Sequence, residues 1–132
     1  MFLIDTDVAI YLRDAEPEIT RRVIARDDQV AIGLFTLIEL TNGSYADPLL
    51  MERRQAALTK LLQNTRILPA DKEVVDSYSA ILADAGFARA RVFDRLIAAT
   101  AIVNDLALIT INGPDFRDIP GLKVEVWPAP GQ

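Results

Sequence analysis

Four acidic residues in this chain stand where an acid needs a reason. Asp5 ends the apolar run Phe2-Leu3-Ile4, which is too short for a helix and reads as a buried strand with a carboxylate at its tip. Asp94 falls in the first turn of a segment, Val92 to Val103, that is apolar on nearly every other face. Glu39 closes the run Thr36-Leu37-Ile38-Glu39, and Asp115 follows an apolar strand through the turn Asn112-Gly113-Pro114. Taken singly, each has an ordinary structural use. Asp94 gains ~0.3–1 kcal/mol from a helix dipole, Thr36 to Glu39 fits a capping box, Asp115 fits an N-cap, and Asn112 suits a turn. Asp7 is a fair N-cap for a helix from Val8 to Arg13. The set resists that treatment. Residues that follow strands and open helices in a parallel sheet lie along one edge, and ligands bind in the crevice beyond the carboxyl ends of the strands.

Three or four carboxylates on one edge repel each other strongly in a low-dielectric cleft, so cations or protons must hold them together. The chain has no histidine and no cysteine. That removes the usual general base, the Ser-His-Asp triad, thiolate nucleophiles and imidazole or sulfur metal ligands. Oxygen ligands alone select hard ions, Mg²⁺ or Mn²⁺. Such ions keep positions open for substrate phosphate, and in paired sites ~3.5–4 Å apart they activate a water for in-line displacement at phosphorus. A histidine-free protein can hydrolyse a phosphodiester in this way.

Composition sets the bounds. The 132 residues make one ordinary domain spanning residues 1–132, with about half of them apolar and a quarter charged. No apolar run approaches the ~20 residues of a membrane span and the N-terminus does not resemble a signal peptide, so no membrane partner and a cytoplasmic location are expected. The net charge of −5 argues mildly against a nucleic-acid partner, unless the acids are gathered around a cation. Arginines cluster at Arg21-Arg22-Arg26, at Arg53-Arg54 and at Arg89-Arg91-Arg95; the first two groups read as solvated helix faces.

The elements that must position the acids follow in order. After the first strand and short helix, Pro17 opens a helix through Arg26 with Ile19, Val23 and Ile24 on its inner side, and Asp27-Asp28 breaks it. Gln29 to Ile32 is a second strand ended by Gly33. A helix opened by Thr36 frays near Asn42-Gly43, and Asp47-Pro48 starts another to about Asn64 with Leu49, Leu50, Ala57, Leu58, Leu61 and Leu62 inward. Arg66 to Leu68 is a third strand, Lys72 to Ala85 a helix stopped by Gly86 as a left-handed cap, and Ala88 to Arg91 a basic connector. Val92 to Val103 is a central buried helix closed by Asn104; Ala107 to Thr110 and Lys123 to Trp127 are the last strands. Strands alternating with helices make a parallel α/β sandwich.

Placed in sequence, four segments resemble the PIN-domain nucleases, and more narrowly the VapC toxins of type II toxin–antitoxin modules. They are Asp5-Thr6-Asp7, Thr36-Leu37-Ile38-Glu39-Leu40, Phe93-Asp94-Arg95-Leu96-Ile97-Ala98-Ala99, and Leu108 to Phe116. The resemblance covers the whole chain, including Ile119-Pro120-Gly121-Leu122 and Trp127. It implies a PIN-like three-layer sandwich, a central parallel sheet flanked by helices, and a Mg²⁺- or Mn²⁺-dependent endoribonuclease. By position, Asp5 and Asp94 would be the principal metal ligands, Glu39 would bind metal or position the attacking water, and Asp115 would complete the quartet, with Asn112 the competing fourth residue. Asp7 stands where asparagine or serine is frequent. Thr6 and Thr110 suit the role of orienting ligating carboxylates. The resemblance further implies a homodimer, an RNA substrate contacted by Arg89, Arg91 and Arg95, and a cognate antitoxin that lays an arginine among the acids.

Rival readings fare less well. A phosphoacceptor receiver domain needs an aspartate ending a middle strand, which neither Ile32-Gly33 nor Leu68-Pro69 supplies. A nucleotide-binding Rossmann domain needs a glycine-rich phosphate loop, and the chain has none. A non-toxin RNA-processing nuclease of the same fold, or a PIN module that binds RNA or protein without cutting, stands as the alternative.

Overall fold

The computed structural model describes residues 1–131. Five short parallel strands, β1 (Phe2–Ile4), β2 (Val30–Gly33), β3 (Thr65–Leu68), β4 (Ala107–Thr110) and β5 (Lys123–Val126), pair in the order β3-β2-β1-β4-β5. The helices are α1 (Thr6–Arg13), α2 (Pro17–Arg26), α3 (Leu34–Ala46), α4 (Met51–Leu62), α5 (Lys72–Ala85) and α6 (Val92–Val103). The chain winds from β1 outward to β3 and then returns to the other side of β1. The winding therefore reverses between β1 and β4, and a parallel sheet opens a crevice at that point beyond its carboxyl ends.

Strand alternation divides the core into two layers. Leu3, Ala31 and Leu108 face one way, into a cluster with Val74 and Ile81 of α5, Ile97, Ala98, Ala99 and Ala101 of α6, and Phe116. Phe2, Ile4, Val30, Ile32 and Ile109 face the other way, onto Val8, Ala9, Ile19, Leu40 and Trp127. Three successive small residues let α6 lie close to the sheet. Its two buried polar residues are both satisfied: Thr100 donates to Leu96 O at 2.9 Å, and Arg95 donates to Gly86 O, at the end of α5, at 2.6 Å. A guanidinium at a helix C-terminus is also favoured by the dipole. Among the described residues, no helix is long and apolar enough to cross a membrane.

Several local expectations fail for physical reasons. Asp5, not Asp7, caps α1, accepting from Val8 N at 3.1 Å. Thr36 and Glu39 form no capping box, because α3 begins at Leu34, leaving both inside the helix. That helix runs on through Asn42-Gly43 to Ala46, where Arg54 donates to Gly43 O at 2.9 Å. Asp47 opens a turn rather than a helix, so α4 starts at Met51; Leu49 is thrown into solvent at 93% exposure and α4 buries no residue fully. Ile24 lies on the outer face of α2. Gly86 has positive φ (78°) but an extended ψ (165°), so it leaves the helix without the left-handed cap.

Phe116 is nearly fully buried and lies directly after the 3₁₀ turn Gly113–Asp115 that follows β4. It thus anchors the loop that carries an acid. Phe116→Ala is expected to cost ~3–5 kcal/mol, read as a fall in the urea midpoint at unchanged slope; a loss under ~1 kcal/mol would mean the loop is held by something else.

Candidate active site

The acids meet in a cleft of about 360 Å³ beyond the ends of β1 and β4, lined by Asp5, Thr6, Asp7, Ile10, Glu39, Asp94, Asn112 and Asp115. Each arrives by a different route. Asp5 is the residue after β1, with its amide tied to Ile109 O at 3.1 Å, so sheet and helix cap fix it from both sides. Asp7 lies in the first turn of α1, Glu39 two turns into α3, and Asp94 in the first turn of α6. Asp115 comes in on the 3₁₀ turn after β4.

Hydroxyls and an amide position these carboxylates. Thr110, buried at the end of β4, donates to Asp5 Oδ2 at 2.5 Å while accepting from Asn112 N at 2.9 Å. Thr6 donates to Glu39 Oε1 at 2.6 Å and lies 3.2 Å from Thr36 Oγ1. Thr6 has one proton and gives it to Glu39, so Thr36 is the donor in the second bond. Asn112 donates its side-chain amide to Asp7. Thr36 is the member that sequence reasoning misplaced: it stood in a recognised segment but was read as a cap, and only its full burial shows that it supports Thr6.

The electrostatics are those of an uncompensated anionic cleft. Burial pushes Asp5 up to about 6, with its hydrogen bonds from Thr110 and Val8 opposing the rise and Asp7 and Asp94 adding to it. Asp94 is likewise raised to about 6, first by burial, then by Asp115 and Glu39, with Arg91 offsetting only part. Among the described residues, the one ion pair that reaches these acids is Arg91 Nη1 to Asp115 Oδ1 at 3.4 Å. The five acids of the cleft equal the entire net charge of −5, leaving fourteen acids against fourteen lysines and arginines on the rest of the molecule. Overall charge therefore does not argue against a polyanionic partner.

As they stand, no three acids among the described residues are arranged to hold a metal ion. The reason is visible in their bonds. Asp5 is turned onto Val8 N and Thr110, Asp7 onto Asn112, Glu39 onto Thr6, and Asp115 onto Arg91. The donor chemistry still fits a hard divalent ion: every candidate ligand is an oxygen, all lie on one small cleft, and two carry raised pKa values that a positive charge would reverse.

The three arginines expected to contact RNA separate. Arg89 is exposed and Arg91 is half-buried beside Asp115. Arg95 is buried and committed to Gly86 O, so the expectation that it reaches RNA is corrected: the guanidinium points into the α5–α6 packing. A larger groove, about 930 Å³, is lined by Leu12, Val23, Ile24, Leu50, Ala57 and Leu61 with Arg53, Arg54 and Lys60. It takes in Val30 and Thr65, the first residues of β2 and β3, and thus lies at the other end of the sheet. Its one acid is Asp14, so the chemistry belongs to the smaller cleft.

A sequence profile of the PIN domain matches residues 2–122. The chain is 30% identical over 128 residues to ribonuclease VapC1 of Rickettsia felis, covering 92% of each. It is 28% identical over 129 residues to the tRNA(fMet)-specific endonuclease VapC of Salmonella typhimurium, covering 96% of this chain and 97% of that protein. Among solved structures, a toxin–antitoxin complex from Klebsiella pneumoniae contains a chain that superposes with a TM-score of 0.75 at 27% identity, covering 98% of this chain and 100% of the other.

The raised carboxylates set a pH dependence. Folded, Asp5 and Asp94 hold protons up to about pH 6; unfolded, they release them near 3.8. The folded form therefore binds more protons between those values, and its stability falls as pH rises through them. For buried Asp5 the full effect is up to about 3 kcal/mol. Metal-free protein in EDTA is expected to melt higher at pH 5 than at pH 7.5, and Asp94→Asn should raise the melting temperature at pH 7.5 and flatten the difference. Equal melting temperatures at the two pH values would contradict the raised carboxyls of Asp5 and Asp94.

Proposed function

The chain belongs to the PIN-domain family and within it to the VapC group, and from that premise we propose that it is a metal-dependent endoribonuclease acting as the toxin of a type II toxin–antitoxin pair. The observation that carries this reading is the convergence of Asp5, Glu39, Asp94 and Asp115 on one cleft in a chain with no histidine or cysteine. Relatives of near-full length are named as ribonucleases, which supports RNA as the substrate.

In this reading Asp5 and Asp94 hold Mg²⁺ or Mn²⁺, and Glu39 and Asp115 complete the ligand set. When bound, the ion supplies neutralisation of the phosphate charge and a water acidic enough to attack at neutral pH. The chain's own residues prepare this. Thr110 and the Val8 amide fix the Asp5 carboxylate so that one oxygen pair cannot rotate freely. The Thr36–Thr6 chain holds Glu39 toward the cleft, where its free oxygen can accept a proton from, and so orient, an attacking water. Asn112 and Asp7 close the outer side. Arg91, paired with Asp115 of the cleft, and exposed Arg89 on the same 3₁₀ turn are cations for the RNA backbone in this reading.

The toxin–antitoxin relative supports an antitoxin partner. The 930 Å³ groove, apolar with Arg53, Arg54 and Lys60 beside it, is a surface available for such a partner to cover. A homodimer belongs to the same reading, with Leu34, Ile38 and Phe93, exposed at 37%, 40% and 36%, as apolar surface to be shared.

Two variants test the assignment. Asp5→Asn and Asp94→Asn should keep the fold by circular dichroism, reduce Mg²⁺-dependent cleavage of RNA to background, and relieve the growth arrest that expression of the parent chain causes. Undiminished cleavage by either folded variant would remove that residue from the active site.

A further inference from the structure

Among the described residues, Arg91 is the one cation paired with an acid of the cleft. It ends the 3₁₀ turn Arg89–Arg91 that leads into α6, three residues before Asp94, and its Nη1 reaches across to the loop after β4. There it donates to Asp115 O at 3.2 Å and to Asp115 Oδ1 at 3.4 Å. It thus spans from the start of α6 to the post-β4 turn, the two elements that carry Asp94 and Asp115, residues that would hold a divalent ion. Both side chains are over 40% exposed and the carboxylate contact is long, so it is weak and easily given up. The carbonyl contact, by contrast, does not depend on where the carboxylate points.

We propose that Arg91 is a built-in counter-charge: it holds Asp115 while no ion is present, competes with the divalent ion for that carboxylate, and on displacement is freed to meet substrate phosphate. The inference rests on the metal-site reading above and adds to it a residue that sets how readily the site fills. The physical logic is exchange of one cation for another. A guanidinium beside a carboxylate lowers the gain from bringing in Mg²⁺ or Mn²⁺, and an ion that takes Asp115 leaves Arg91 without its acidic partner at the mouth of the cleft. A fixed guanidinium is suited to a phosphate oxygen.

The test is calorimetric titration of the full chain with Mn²⁺ alone, at fixed pH and ionic strength, for the parent, Arg91→Ala, Arg91→Lys and Asp94→Asn proteins. KM for a short RNA at saturating Mn²⁺ is measured alongside. Arg91→Ala should bind Mn²⁺ about two- to fivefold more tightly while its KM for RNA rises, and Arg91→Lys should stay near the parent in both. A merely structural arginine would not tighten the ion and loosen the RNA together. Unchanged or weaker Mn²⁺ binding in Arg91→Ala, or an Arg91→Lys protein that behaves like the alanine variant, overturns the proposal while leaving the metal site standing. An unchanged KM overturns the hand-over to phosphate. If the parent chain binds no Mn²⁺, or Asp94→Asn binds it as well as the parent, the metal-site reading fails and this inference with it.

Discussion

Mutual repulsion among carboxylates held at the carboxyl end of a parallel sheet is the constraint on which this structure turns. Asp5, Asp7, Glu39, Asp94 and Asp115 line one cleft with a single arginine in partial opposition. Such groups tend to spread apart or take up protons: the acids face separate donors, and burial, with the neighbouring acids adding to it, raises Asp5 and Asp94 to about 6. The fold must supply enough stability elsewhere to keep them near one another.

That stability comes from the two apolar layers on either side of the sheet. Phe2, Leu3 and Ile4 are fully buried, as are Leu108 and Ile109, so the two strands that deliver Asp5 and Thr110 are the least able to move. The small residues of α6 bring the helix close enough to the sheet for Asp94 to reach the same crevice. Gly33 serves the same approach of α6, since a Cβ there would lie 3.4 Å from Thr100 Cγ2. The supporting hydroxyls then act locally. Thr110 belongs to the rigid strand and fixes Asp5, whereas Thr6 and Thr36 join α1 to α3 and fix Glu39. The acids of the cleft are therefore carried on different kinds of element, Asp5 at the end of a buried strand and Asp115 on a short turn anchored by the buried Phe116.

The charge distribution has a consequence for partners. Since the cleft accounts for the whole net charge, the remainder of the surface is balanced, and approach of a polyanion is governed by local patches rather than by the overall sign. Five acids in one cleft repel a polyanion unless a cation offsets them, so in the proposed function metal loading and RNA binding are linked through the same carboxylates.

What the sequence determined by itself was the alternation of elements, the strand-end position of Asp5 and the misfit of Asp94 on an apolar helix. These follow from hydrophobic periodicity and from the cost of burying an acid, both of which are local. Helix boundaries were less legible where two signals competed. Thr36 and Glu39 have capping-box spacing, yet α3 starts at Leu34, directly after β2; Leu49 has the composition of a core residue, yet Asp47 turns the chain so that it faces water. Tertiary structure alone decided which acid caps α1, that Arg95 is spent on Gly86, that Thr36 stands behind Thr6, and that Arg91 reaches Asp115. The last three are contacts between separate elements, and side-chain direction across such a junction is set by packing geometry that no local pattern encodes; both Asp5 and Asp7 suit a cap, and the sheet, which ties the Asp5 amide to Ile109 O, decided between them.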